Sequence, residues 1–255
     1  MQRISNRHIL PMVLKGLARN ALRDQGRARH RFVQELFIAA KCFGAPNVRN
    51  IEVSNIRGID QATVRGGVTR IARNPQYDSF VLAALCQALQ CRTVFEIGTY
   101  LGETAWLLAH NNPQATIYTL DLPDAGAVGT AKLELTDPAY FDDWNRRAKY
   151  LRTIEETRIT QLLGDSATFD FSPYYARIDL VFIDASHSYS YVKSDTEAAL
   201  KMLSDRGTIV WDDYTHYPGI YTYLNELSPQ LERPVMHILG TRLALYSRQA
   251  LVVDR

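Results

Sequence analysis

The sequence predicts an α/β domain built on a doubly wound, mostly parallel sheet, with a basic helical arm in front of it. Three observations carry that prediction. From about Gln76 onward, short continuous apolar runs alternate with helix-spaced segments, the pattern of strands covered on both faces. The first of those runs flows into a glycine loop that opens a helix. Acidic residues stand at the ends of several runs, where open α/β sheets gather their ligands.

The elements follow in order. Residues 1–46 read as a basic helical arm of two helices. Leu10, Val13, Leu14, Leu17, Ala18, Ala21 and Leu22 recur at helical spacing, and Phe32, Val33, Leu36, Phe37 and Ala40 form a second stripe. Residues 47–75 carry little periodicity and three glycines, and read as an irregular connecting segment. Residues 76–255 hold the α/β pattern. A helix with Asp78 as its cap runs through Phe80, Leu82, Leu85 and Leu89. The expected strands are Thr93–Ile97, Thr116–Leu120, Ile159–Leu163, Asp179–Ile183 and Thr208–Trp211, then Val235–Leu239 and Leu243–Tyr246 about a turn at Gly240-Thr-Arg. Helices are expected over Glu103–His110, Tyr191–Leu203 and Ile220–Leu227. An insertion near residues 123–157, with a helix start at Asp137-Pro138, lies where access to a ligand is commonly shaped.

Composition excludes several classes. With 46% hydrophobic and 22% charged residues the chain is an ordinary globular one, so a disordered reading fails. The longest apolar run, Phe80–Cys86, is far short of the roughly 20 residues a membrane span needs. Cys42, Cys86 and Cys91 have no metal-type spacing and cannot all pair, which favours a reduced, cytoplasmic setting. The net charge of +2 hides an asymmetry: residues 1–43 carry nine Lys/Arg against Asp24 and Glu35, a net +7, which leaves −5 for the rest. The arm therefore admits three readings: an oligomerisation or lid element, a solvated amphipathic appendage, or a contact for an anionic surface. No motif or aromatic-interleaved basic patch supports nucleic acid as the partner.

The most informative stretch is Glu96-Ile-Gly98-Thr99-Tyr100-Leu-Gly102. It differs from the dinucleotide pattern Gly-x-Gly-x-x-Gly by placing a carboxylate at the strand end, where it repels phosphate and favours a cation. S-adenosylmethionine has a sulfonium and an ammonium and no phosphate. Gly98 and Gly102 are expected to let the backbone pass close to that ligand. Asp121, followed by Leu122, ends the second strand 25 residues after Glu96, where a carboxylate accepts ribose hydroxyls. Asp165, in Gly164-Asp165-Ser166, is placed to accept from an adenine amino group. A generic nucleotide-type domain with incidental acids is the bland alternative.

These residues together resemble the cofactor signature of class I S-adenosylmethionine-dependent methyltransferases, over roughly residues 76–247. The resemblance implies a Rossmann-like sheet of seven strands, ordered 3-2-1-4-5-7-6 with the last strand antiparallel. It also implies that Glu96, Gly98, Thr99, Tyr100, Gly102, Asp121, Leu122, Gly164, Asp165, Ser166 and Asp184 contact the cofactor.

A second constellation carries chemistry. Asp184 and His187 follow the fourth strand, and Asp212-Asp213 end the fifth, so adjacent strand ends gather three carboxylates about one crevice. Clustered carboxylates repel unless a cation neutralises them, and an all-oxygen set suits Mg²⁺. A hydroxyl is a weak nucleophile for methyl transfer, and a metal lowers its pKa. His187 is suited to take the proton. Helix capping by Asp212 or Asp213 and a plain loop role for His187 remain open. Asp-x-x-His followed by Asp-Asp resembles the metal-dependent macrolide-sugar O-methyltransferases and the cephalosporin-hydroxylase-like methyltransferases. That resemblance implies Asp184, Asp212 and Asp213 as metal ligands and His187, with Asp184, as catalytic. Some of those relatives have Glu-Asp where this chain has Asp212-Asp213.

The expected activity is therefore Mg²⁺-dependent methylation of a hydroxyl on a small molecule, a sugar or natural-product precursor. A metal-independent O- or N-methyltransferase and a non-catalytic cofactor-binding protein with a partner-binding arm are the alternatives. An apolar-striped arm on a complete domain suggests self-association. Tyr214, Tyr217 and Tyr221, at near-helical spacing, either wall the acceptor pocket or pack against the sheet.

Overall fold

The computed structural model describes residues 47–66, 77–123, 127, 131–133, 135 and 158–252. The basic arm and the predicted helix start at Asp137-Pro138 lie outside these. Eight strands form one sheet: β1 (Arg49–Ile51), β2 (Thr93–Ile97), β3 (Thr116–Asp121), β4 (Ile159–Leu163), β5 (Ile178–Ile183), β6 (Leu203–Trp211), β7 (Met236–Ile238) and β8 (Ala244–Ser247). Four α-helices accompany them among the described residues: α1 (Tyr77–Ala88), α2 (Glu103–Asn111), α3 (Tyr189–Met202) and α4 (Pro218–Leu227).

The strand order is β1-β7-β8-β6-β5-β2-β3-β4. Read from the β4 edge, the seven predicted strands run 3-2-1-4-5-7-6, with β8 antiparallel to both β6 and β7. The eighth strand is a correction. Arg49–Ile51, expected to be irregular, pairs parallel with β7. Only Ile51 of its three residues is buried, so it offers no alternation for a sequence pattern to reveal. Its neighbours tie it down: the Ser228 hydroxyl donates to the Asn47 carbonyl at 2.7 Å, and the Leu239 amide to the Ile51 carbonyl at 2.9 Å.

The central strands are continuous apolar runs because both faces are covered. Val94, Phe95, Leu180, Val181, Ile209 and Val210 are fully buried. Helix α1 presents Leu82, Leu85 and Cys86 to the core at helical spacing, and α2 presents Leu107 and Leu108. Each such side chain contributes about 1.5–3 kcal/mol. The helix ends follow local chemistry. Ser188 caps α3 by accepting from the Tyr191 amide at 3.2 Å, and Pro218 starts α4, where its missing N–H costs nothing. Asp78 lies inside the first turn of α1, and its carboxylate is drawn to Arg242 instead of capping the helix.

Candidate active site

The ends of β2 and β5 are stapled together. The Asp184 amide donates to the Ile97 carbonyl at 2.9 Å, and the Gly98 amide to Leu120 on β3 at 2.8 Å. Gly98 has φ +102°, and a Cβ there would stand 2.0 Å from the Asp184 carbonyl oxygen. This glycine thus seats the loop against the end of β5 and, as expected, stands at the cleft. Gly102, at φ +81°, turns the chain into α2.

Glu96 lies off the cleft lining. It is 1% exposed and accepts a hydrogen bond from the Thr119 hydroxyl. The Thr99 and Thr119 hydroxyls lie 2.7 Å apart, so the loop and the first two central strands share one buried polar chain. Burial pushes the Glu96 carboxyl well above its ordinary range, with Asp184 and Asp121 adding repulsion against the relief from Thr119. Glu96 braces the loop from beneath.

The cleft is lined by Gly98, Tyr100, Asp121, Leu122, Gly164, Asp165, Ser166, Asp184, His187, Asp212 and Asp213, all expected at the site. Glu96, Thr99 and Gly102 lie outside that lining. Asp121 accepts from the Tyr100 amide at 3.0 Å and the Leu122 amide at 2.9 Å, which orients its carboxylate at the end of β3. Asp165 accepts from the Tyr191 hydroxyl at 3.0 Å and from the Ala167 and Lys132 amides at 2.9 and 2.7 Å. Asp121 and Asp165 thus both present oriented carboxylates to the cleft.

The acidic end of the cleft is organised by a residue that the sequence did not single out. Arg242, in the turn before β8, donates from Nη1 to Asp213 Oδ1 at 2.7 Å, from Nη2 to Asp212 Oδ2 at 3.2 Å, and from Nε to Asp78 Oδ2 at 2.7 Å. Its backbone amide donates to Asp78 Oδ1 at 3.1 Å. The one available signal was an arginine between the apolar runs Ile238-Leu239 and Leu243–Tyr246. On the other side, His187 Nε2 lies 3.2 Å from Asp213 Oδ2, and the His187 ring stacks on Tyr217 with centroids 3.8 Å apart. Tyr217 therefore supports a residue of the cleft, whereas buried Tyr214 packs against Tyr221 and its hydroxyl accepts from Asn225 at 3.2 Å.

Charge in this cluster is unevenly compensated. Burial and the nearby Asp213 push Asp184 up to about 6, against the pull of His187 and Arg242. Asp212 is held well above the usual carboxylate range by burial and by the charges of Asp184 and Asp213. Burial acts on Asp213 too, but the His187 hydrogen bond and the Arg242 charge prevail and lower it. Asp213 also occupies the left-handed region, at φ +54°. Asp184, His187 and Asp213 can each offer one ligand atom, all within 4.8 Å of one another. Those three fit a small divalent cation. Asp212, expected as a ligand, is outside that trio: its Oδ1 accepts the Asp213 amide at 2.7 Å and its Oδ2 faces Arg242.

Residues 95–214 match the family model of a methyltransferase domain. Among solved structures, a Staphylococcus aureus protein assigned as a caffeoyl-CoA O-methyltransferase shares the fold at 14% identity and TM-score 0.52, over 74% of this chain and 86% of that one. The O-methyltransferase from Bacillus cereus in complex with SAH aligns at 20% identity and TM-score 0.48, over 69% of this chain and 80% of that one. The O-methyltransferase TomG from Streptomyces achromogenes, involved in tomaymycin synthesis and in complex with SAM, aligns at 18% and 0.46 over the same shares. A search of curated protein sequences finds no match. Among the described residues, no helix is long and apolar enough to cross a membrane.

Proposed function

We propose that the chain, whose residues 95–214 match the family model of a methyltransferase domain, is a class I S-adenosylmethionine-dependent methyltransferase that transfers the cofactor's methyl group to a hydroxyl of a small molecule bound at the acidic end of the cleft. The observation that carries this reading is the convergence of Asp184, His187 and Asp213 on the cleft, within 4.8 Å of one another. In the transfer, the acceptor oxygen attacks the methyl carbon in line with the carbon–sulfur bond. That bond breaks, and neutral S-adenosylhomocysteine leaves. The acceptor's proton has to go to a base, and His187 is the imidazole at hand. Asp213 fixes the imidazole through Nε2 and Tyr217 fixes its plane, so the ring needs little reorganisation.

Asp184 and Asp213, with His187 beside them, are the residues that would hold Mg²⁺. A bound Mg²⁺ supplies a Lewis acid that lowers the pKa of the acceptor hydroxyl and fixes its oxygen. Asp78, Asp212 and Asp213 share a single guanidinium, and Asp184 feels the charges of both Asp213 and Arg242, which supports a need for further positive charge. The placement of Arg242 favours a second reading, transfer without a metal, in which that guanidinium alone neutralises the carboxylates.

The deciding experiment is release of S-adenosylhomocysteine with a panel of sugar and phenolic acceptors, with EDTA and with Mg²⁺ restored. Loss of turnover in EDTA and recovery with Mg²⁺ support the metal-assisted reading. Unchanged turnover in EDTA selects the second. His187→Gln separates two duties: lost turnover with Mg²⁺ affinity kept marks the base, and loss of both marks a ligand.

The same proposal puts the enzyme in the cytoplasm and assigns the arm, residues 1–46, to self-association rather than chemistry. Its two apolar stripes motivate that assignment. Light scattering on chains with and without residues 1–46 tests it, and an equal protomer count for both rejects it.

A further inference from the structure

The acidic cluster contains two more carboxylates, Asp78 and Asp212, than the trio that fits a metal, and Arg242 accounts for the difference. The geometry points to Arg242 as an internal counter-cation that divides the cluster, retaining Asp212 and Asp78 for itself and leaving Asp184, His187 and Asp213 Oδ2 to a divalent metal. This inference rests on the Mg²⁺ reading above.

Asp212 is not among the residues whose ligand atoms converge. Its Oδ1 is taken by the Asp213 amide at 2.7 Å, and its Oδ2 faces Arg242 Nη2 at 3.2 Å. Asp213 is split between two partners, with Oδ1 on Arg242 Nη1 at 2.7 Å and Oδ2 on His187 at 3.2 Å. The guanidinium itself cannot drift away, because Asp78 on α1 holds both its Nε and the Arg242 amide. A planar fork anchored at three carboxylates is a fixed charge rather than a mobile one. Fixed at that place, it repels a divalent ion and withholds a fourth ligand from it. The consequence is a metal site with built-in weakness: a cation that binds, assists and leaves, instead of a permanently loaded centre.

The test uses the full chain saturated with S-adenosylhomocysteine and titrated with Mn²⁺, with free Mn²⁺ read by electron paramagnetic resonance. Arg242→Met is expected to tighten Mn²⁺ binding about tenfold or more, whereas Arg242→Lys, which keeps the charge, stays within about threefold of the parent. Adding Asp212→Asn to Arg242→Met is expected to abolish the gain, because the freed Asp212 is what supplies it. Equal Mn²⁺ affinity in the parent and Arg242→Met overturns the role of Arg242 and leaves the metal reading standing. A gain that survives Asp212→Asn overturns the division of the cluster and marks a plain charge effect. No Mn²⁺ binding to any chain that still binds S-adenosylhomocysteine overturns the metal reading and this inference with it. Should Arg242→Met fail to fold, Asp212→Asn alone decides: affinity within about threefold of the parent supports the division, and a tenfold loss overturns it.

Discussion

Tyr217 and His187 lie face to face, with ring centroids 3.8 Å apart and planes inclined by only 11°. Behind them Gly219, in the first turn of α4, comes so near the loop that a Cβ there would stand 2.6 Å from the His187 carbonyl oxygen. The imidazole is thus held by an aromatic ring on one side and by backbone packing behind. An aromatic contact of this kind contributes about 0.5–1.5 kcal/mol. Tyr217→Ala should therefore lower kcat about threefold to tenfold, with the cofactor's KM unchanged, and Tyr217→Phe should restore most of the loss. Steady-state kinetics on the two variants checks this.

His187 itself should matter far more. If it takes the acceptor's proton, His187→Ala lowers kcat by about 10²–10⁴. S-adenosylhomocysteine affinity, read by calorimetry, should stay near the parent value. A loss of cofactor binding equal to the loss of turnover would instead make His187 a structural support of the pocket.

Two glycines with positive φ should respond very differently to alanine. Gly98 and Gly240 have φ of +102° and +80°. At Gly98 the added Cβ meets the Asp184 carbonyl oxygen at 2.0 Å, whereas at Gly240 nothing lies within 4 Å. Gly240→Ala should cost about 1 kcal/mol, the backbone strain alone. Gly98→Ala must also push β5 away from β2, and should cost several times more along with cofactor binding. Thermal unfolding with and without S-adenosylhomocysteine reads both effects.

Asp195, on the inner face of α3, gives the fold a pH dependence. It is 0% exposed, with the Ser166 hydroxyl as its one source of relief. Burial pushes it up to about 7 from an ordinary 3.8, against the pull of the Ser166 hydroxyl and with a further push from the charge of Asp165. The folded state therefore holds a proton that the unfolded state releases between those values. Stability from this group falls as pH rises from about 4 to about 7, the reverse of an ion-paired carboxylate. Asp195→Asn should flatten that slope and raise the Tm at pH 8, as melts across pH 5 to 8 would reveal.

Metal binding should carry its own pH signature. Asp184, raised to about 6, must be deprotonated to accept a cation. Mg²⁺ should thus raise the Tm more at pH 8 than at pH 5.5. Equal shifts at both values would remove Asp184 from the ligand set.

Much of this architecture is written locally. Thr93–Ile97 and Ile159–Leu163 are the same residues in sequence pattern and in structure, because each is a short apolar or β-branched run bounded by breakers. Asp121, Asp165, Asp184, Asp212 and Asp213 are legible as site residues because a parallel sheet carries its strand ends to one edge. What escapes is whatever depends on separation along the chain. Arg242 meets Asp78 across 164 positions, and Asp212 and Asp213 across 30 and 29, so no window of sequence contains the cluster. Glu96 escapes for another reason. Its position at the end of β2 is evident, but which way the carboxylate turns depends on Thr119 in the next strand.

β1 changes what counts as the folding unit. The methyltransferase signature begins at residue 95, and the alternating pattern near residue 76, yet Arg49–Ile51 covers the outer side of β7. A chain trimmed to either of those starting points would leave β7 with a bare row of amides and carbonyls. Such an edge recruits strands from other molecules, so the trimmed protein would become a seed of aggregation. The segment ahead of the chemistry thus acts as the sheet's guard against its own neighbours.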